Sequence, residues 1–137
     1  MIYLLDTNAC IVYLNGRNIN LRCRIEDQLD SDIAVCSTVK SELFYGAMKS
    51  NNPSRTLALQ KAFLSRFISL PFDDEAAEIF GDIRAKLTKL GTPIGPYDLQ
   101  IAAIALANNL ILVTHNTAEF SRVEGLKMED WEALTGV

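Results

Sequence analysis

Four carboxylates stand out because of where they sit, although each taken singly reads as a cap or a surface residue. Asp6 closes the apolar run IYLLD, Glu42 lies inside TVKSELFYGA, Asp98 heads GPYDLQIAAIALANNLILVT, and Glu119 follows in HNTAEF. Asp98 alone has a plain reading: Pro96 suits a first helical position, and an acid in the first turn gains roughly 0.3–1 kcal/mol from the helix dipole. Residues three and four apart share a helix face, however, so Asp98 aligns with Ile101 and Ala102, and Glu42 with Val39. Those stripes must face the core. Burying an unpaired carboxylate costs several kcal/mol, more than a dipole can offset. The flanks of the four acids are poor in Lys and Arg, with only Lys40 close to Glu42. Crowded acids without a positive neighbour raise one another's pKa and repel. A hard divalent cation, magnesium or manganese, is the group that such oxygen donors hold.

Other carboxylate and nucleophile chemistries fit less well. A haloacid-dehalogenase-type phosphotransferase needs a second aspartate two positions after Asp6, where this chain has Asn8. GTPIGP lacks the lysine and the spacing of a phosphate-cradling P-loop. A serine or cysteine hydrolase needs a histidine base. The single histidine, His115, is expected to be exposed beside the site rather than essential to it.

The elements that must position the acids are legible in outline. IYLLD reads as a strand, with Thr7 and Asn8 able to cap a short helix over residues 9–14 that Asn15-Gly16 breaks. A helical pattern over residues 21–29 precedes the buried strand IAVC. Ser37 or Thr38 then caps a helix with Val39, Leu43 and Ala47 on one face. After Pro53 comes a helix carrying Leu57, Phe63, Leu64 and Phe67, followed by the short strand ISLPF. Asp73 and Asp74 open an amphipathic helix with Ile79, Ile83, Leu87 and Leu90 at helical spacing and a stop at Gly91. The helix headed by Asp98 leads into the strand LILV, and LKMEDW adds an edge strand that brings Trp131 onto the core. Buried strands alternating with helices predict an α/β fold, a mainly parallel sheet with helices on both sides. The C-terminal ends of parallel strands gather on one rim, where such folds place their sites, so acids distant in sequence can converge there.

Composition fits this picture. At 137 residues, 49% hydrophobic and 22% charged, the chain has the size and make-up of one globular domain, with no linker-like tract. Cys10, Cys23 and Cys36 have neither disulfide-framework nor zinc spacing. The N-terminal run has no basic leader and reaches an acid by position six, so neither a signal peptide nor an anchor is expected, and a cytoplasmic protein is. A net charge of −4 argues against broad attachment to nucleic acid or to an anionic membrane, although Arg84, Lys86 and Lys89 cluster locally.

LLDTN, TVKSELFYGA and GTPIGPYDLQIAAIALANNLILVTHNTAEFSRVEGLKMEDW together resemble the PIN-domain toxins of the VapC type, from prokaryotic VapBC toxin–antitoxin pairs. The resemblance covers nearly the whole chain and implies a single PIN domain over residues 1–137, a three-layer α/β/α sandwich. It implies an endoribonuclease that uses Mg2+, with Mn2+ able to substitute, and cuts structured RNA, tRNA first and rRNA second. Carried over by motif, Asp6, Glu42 and Asp98 match the family's acids. Many PIN domains place an aspartate where Asn116 stands, whereas the close toxin subset carries the glutamate found at Glu119. Asp6 and Asp98 are then the expected metal ligands, with Glu42 and Glu119 acting through water. Thr7, Asn8, Thr114 and Asn116 are the expected supporting residues. Hydrolysis by water, leaving a 5′-phosphate and a 3′-hydroxyl, is the implied reaction. A VapB-type antitoxin, a homodimer, and operator DNA reached only through the antitoxin are the implied partners; Arg84 and Lys86 are candidate RNA contacts. A metal-dependent DNA nuclease and a catalytically degenerate partner-binding PIN module are the rival readings.

Overall fold

Runs of two to four residues, too short to stand alone as sheet, become the five strands of a computed structural model that describes residues 1–133. In chain order these are β1 (Tyr3–Leu5), α1 (Thr7–Asn15), α2 (Ile19–Glu26), β2 (Ile33–Cys36), α3 (Ser37–Lys49), α4 (Pro53–Leu64), β3 (Ile68–Leu70), α5 (Asp74–Leu90), α6 (Pro96–Ala107), β4 (Ile111–Val113), α7 (Thr117–Phe120) and β5 (Met128–Glu129). The last four residues of the expected 1–137 domain lie outside the described ones.

All five strands run parallel, in the order β3-β2-β1-β4-β5, so the expected mainly parallel sheet is wholly parallel. Tyr3 pairs with Ile33 on one side and Ile111 on the other, which makes β1 the centre of the sheet. Every residue of β2 is buried, as are Leu4, Leu5, Leu112 and Val113, because helices cover both faces. Right-handed crossovers between parallel strands put α1–α4 on one face and α5 and α6 on the other. Accordingly, α1 packs on α2 and α3, α3 on α4, and α5 on α6.

The helix ends depart from the sequence reading in instructive ways. Asp6, not Thr7 or Asn8, caps α1, accepting the Ala9 N–H at 2.8 Å. Cys36 stands at the N-cap of α3 without a side-chain bond, because the Thr38 hydroxyl donates instead to Gln100 Oε1 of α6 at 3.0 Å. The second helix stops at Glu26, short of the expected residue 29. Asp73 caps α5, and Gly91 ends it in the left-handed region at φ 69°. Leu90, the last member of the α5 stripe, is 73% exposed because the chain turns away there. Phe67 lies beyond α4 yet is buried, edge-on to Phe63.

Trp131 closes the far side of the sheet, as the sequence suggests. It is buried, packs edge-on to Tyr3 with ring centroids 4.8 Å apart, and donates its indole N–H to Glu129 Oε1 at 2.9 Å. Trp131→Ala is expected to lower unfolding stability by roughly 3–5 kcal/mol, the cost typical of emptying an aromatic site, read from denaturant melts.

Candidate metal-dependent active site

The order of the strands reverses at β1, because β2 and β3 lie to one side and β4 and β5 to the other. Parallel α/β sheets form their binding crevice beyond the strand C-termini at such a point. Asp6 and Thr114 are the first residues past β1 and β4, and the Asp6 N–H donates to the Val113 carbonyl at 3.1 Å. Asp6 is only 3% exposed. Burial pushes its carboxyl up to about 6; the Thr114 hydroxyl and the Ala9 N–H oppose that, while the Glu132 and Glu42 charges add to it.

The other three acids reach the same rim from separate elements. Glu42 lies in the second turn of α3, half-buried, and accepts the Thr7 hydroxyl at 2.6 Å, which ties it to the residue after Asp6. Asp98 is in the first turn of α6, brought towards α3 by the Thr38–Gln100 bond. Its carboxyl is also pushed up to about 6, first by burial and then by the Glu119, Glu42 and Asp6 charges; when protonated it hydrogen-bonds Glu119. Glu119 sits on the one-turn helix α7 and accepts the Asn116 side-chain amide at 2.7 Å, while the Asn116 N–H donates to the Thr114 hydroxyl at 3.0 Å. Asp98 is within electrostatic reach of Asp6, Glu42 and Glu119, and Asp6 of Glu42, with Thr7 bonded to Glu42 and Asn116 to Glu119. The group whose ligand atoms all lie within 4.8 Å of one another among the described residues is His115, Asp130 and Glu132. Asn8 is exposed and makes no side-chain hydrogen bond among the described residues.

No Lys or Arg forms an ion pair with any of the four acids among the described residues. The donors are carboxylate oxygens, and what raises Asp6 and Asp98 is burial together with other carboxylates. A hard divalent cation answers that donor set, because its charge reverses the repulsion.

His115 lies beside the site and is exposed, as expected. Its Nδ1 is 3.0 Å from Asp130 Oδ2 and 3.9 Å from Glu132 Oε2, and its pKa is raised, first by the Asp130 hydrogen bond and then by the Glu132 charge. Glu132, whose charge acts on Asp6 ahead of that of Glu42, gives no sequence signal: it follows Trp131 in a segment without helical or strand period. Several of the basic side chains are engaged elsewhere. Arg66 holds Asp30 and Glu26 at 3.0 Å each, Lys86 pairs with Asp82 at 3.1 Å, and the Arg84 guanidinium lies 5.9 Å from the Phe80 ring centroid.

A parallel sheet with carboxylates gathered at its reversal point defines an α/β metal-dependent nuclease plan, and the PIN-domain family profile matches residues 3–126. The chain belongs to the PIN-domain family and, within it, to the VapC-type ribonuclease toxins of VapBC toxin–antitoxin systems. It is 42% identical over 129 residues to the tRNA(fMet)-specific endonuclease VapC of Salmonella typhimurium, covering 94% of this chain and 97% of the relative. With the same coverage it is 41% identical to ribonuclease VapC2 of Haemophilus influenzae. Among solved structures, DNA-bound VapBC from Salmonella typhimurium superposes with a TM-score of 0.90 at 40% identity, covering 96% of this chain and 98% of that one. VapBC2 from Rickettsia felis, bound to a promoter DNA fragment, superposes with a TM-score of 0.89 at 35% identity, covering 96% and 99%. PIN-domain nucleases are metal-dependent. Among the described residues, no helix is long and apolar enough to cross a membrane.

Proposed function

We propose that the protein is the toxin of a VapBC-type pair and hydrolyses phosphodiester bonds of structured RNA with Mg2+ or Mn2+, initiator tRNA being the first candidate substrate. The observation that carries this reading is the convergence of four acids from four segments, with Asp6 and Asp98 both pushed up to about 6. Asp6 and Asp98 would hold the ion directly. Glu42, steadied by Thr7, and Glu119, steadied by Asn116, would act through water. The ion, when bound, supplies a Lewis acid that makes water a better nucleophile and offsets charge on the phosphate. Glu42 or Glu119 accepts a hydrogen bond from the attacking water, orients it and takes up its proton. Water rather than the ribose 2′-hydroxyl would form the new P–O bond as the P–O3′ bond breaks and the 3′-oxygen takes a proton from solvent, leaving a 5′-phosphate and a 3′-hydroxyl.

The relatives solved as VapBC on DNA support a VapB-type antitoxin as partner and promoter DNA bound by the pair. Contact with that DNA through the antitoxin and a toxin homodimer are part of the same reading. Purified protein with Mn2+ is expected to cut initiator tRNA, leaving 5′-phosphate ends, and to spare elongator tRNA and DNA of matching sequence. Equal cleavage of the DNA would make it a general or DNA-directed nuclease. No cleavage of either, with antitoxin binding intact, would make it a partner-binding module.

A further inference from the structure

Two large rings stand in solvent beside the carboxylates. Tyr45 is 65% exposed and Tyr97 57%, and together with Ser41 and Glu42 they line a cavity of about 450 Å³. That is within the roughly 300–1,000 Å³ range of small-ligand pockets. Tyr45 lies three residues after Glu42 on α3 and so shares its face, while Tyr97 immediately precedes Asp98 on α6. Glu42 belongs to both the cavity and the acid cluster, so the two adjoin. The Lys49 ammonium sits 4.5 Å from the Tyr45 ring centroid and pairs with no carboxylate among the described residues.

We propose that Tyr45 and Tyr97 form a stacking site that receives an unpaired nucleobase of the RNA next to the bond that is cut, with Lys49 meeting the neighbouring phosphate. This rests on the ribonuclease reading above. The cavity shares Glu42 with the acid cluster, and Tyr97 precedes Asp98, so a chain cut at the cluster and running towards this side meets it with a flat base and a phosphate. Exposed aromatic faces and a cation are the groups that take these. Paired bases are already stacked within the helix, so only a splayed one reaches the rings. The enzyme therefore cuts at loops, bulges or ends and passes over continuous duplex.

The test uses the full chain with Mn2+ and a hairpin RNA whose loop the wild type cuts, compared with the same hairpin carrying an abasic residue beside the cut. Tyr45→Ala and Tyr97→Ala are each expected to raise KM by roughly tenfold, the scale of one lost base stack, with a smaller change in kcat. Tyr45→Phe and Tyr97→Phe should stay near the wild type, because the ring and not the hydroxyl does the stacking. The abasic RNA should be a poorer substrate for the wild type and no poorer still for the alanine variants. Wild-type KM in the alanine variants, equal loss in the phenylalanine variants, or undiminished cutting of a fully paired stem overturns the proposal. A changed oligomeric state or lost antitoxin binding, with KM for RNA unmoved, assigns the patch to a protein partner instead. If the wild type cuts no RNA at all, the ribonuclease reading itself fails and the stacking site falls with it.

Discussion

Asp98→Asn is expected to abolish RNA cleavage and to yield a protein that, without divalent ions, melts no lower than the parent and at neutral pH melts higher. Both effects come from one carboxyl. Residues that merely orient a metal's ligands typically contribute 10–100-fold, so removing a proposed direct ligand should cost more than about a hundredfold. Stability moves the other way. Burial and the Glu119, Glu42 and Asp6 charges push the Asp98 carboxyl up to about 6, so at pH 7 the fold holds a charge that its surroundings oppose. Asparagine keeps the size and removes that charge. Cleavage rates and thermal melts of the same preparation check the pair: near-normal cleavage sinks the ligand role, and a lower melting temperature in chelator sinks the electrostatic account.

In the metal-free protein the stability contributed by Asp6 and Asp98 is expected to fall as pH rises from about 4 to about 6, and a divalent cation is expected to restore it most at neutral pH. Asp6 and Asp98 have an ordinary value of 3.8 and are raised to about 6 in the fold. Between those values the native state binds more protons than the unfolded one, so their contribution to stability falls with rising pH and is fully lost above the folded value. His115 runs in the same sense but at higher pH. Its raised pKa gives a contribution present below the ordinary 6.5 and lost as pH rises through the folded value. A comparison below pH 6 therefore leaves His115 out, His115→Gln removes it at higher pH, and Glu26, whose pKa is lowered by Tyr13 and Arg66, runs in the opposite sense. Because the cation needs deprotonated ligands, Mn2+ should raise the melting temperature strongly at neutral pH and little near pH 4. A cation effect that does not grow with pH would contradict the carboxylate site.

Much of this was legible because the deciding signals are local. IAVC is bounded on both sides and apolar throughout, and it forms β2 without a residue gained or lost. Gly91 stops α5 because the chain needs a positive φ there, which glycine supplies freely. Asp6, Glu42, Asp98 and Glu119 could be grouped because each sits at a strand end or on a core-facing stripe. What escaped depends on contacts between distant segments. Thr38 looks like a cap until Gln100, sixty-two residues later, claims its hydroxyl. Glu132 carries no periodic signal, and only β5 beside β4 brings its segment near Asp6. The rings of Tyr45 and Tyr97 lie beside acids in sequence, but only the approach of α3 to α6 makes one cavity of them.

The placement of β1 between an early neighbour and a late one has a consequence for how the protein comes into being on the ribosome. β2 can dock on β1 soon after synthesis begins, but β4 and the Thr114–Glu119 segment come from the last quarter of the chain. Until they arrive, Asp6 faces an unfilled sheet edge without the Thr114 hydroxyl, and Asp98 lacks the Glu119 charge. A growing chain is thus unarmed for most of its synthesis, and cutting power arrives only when the last segments close over the first strand.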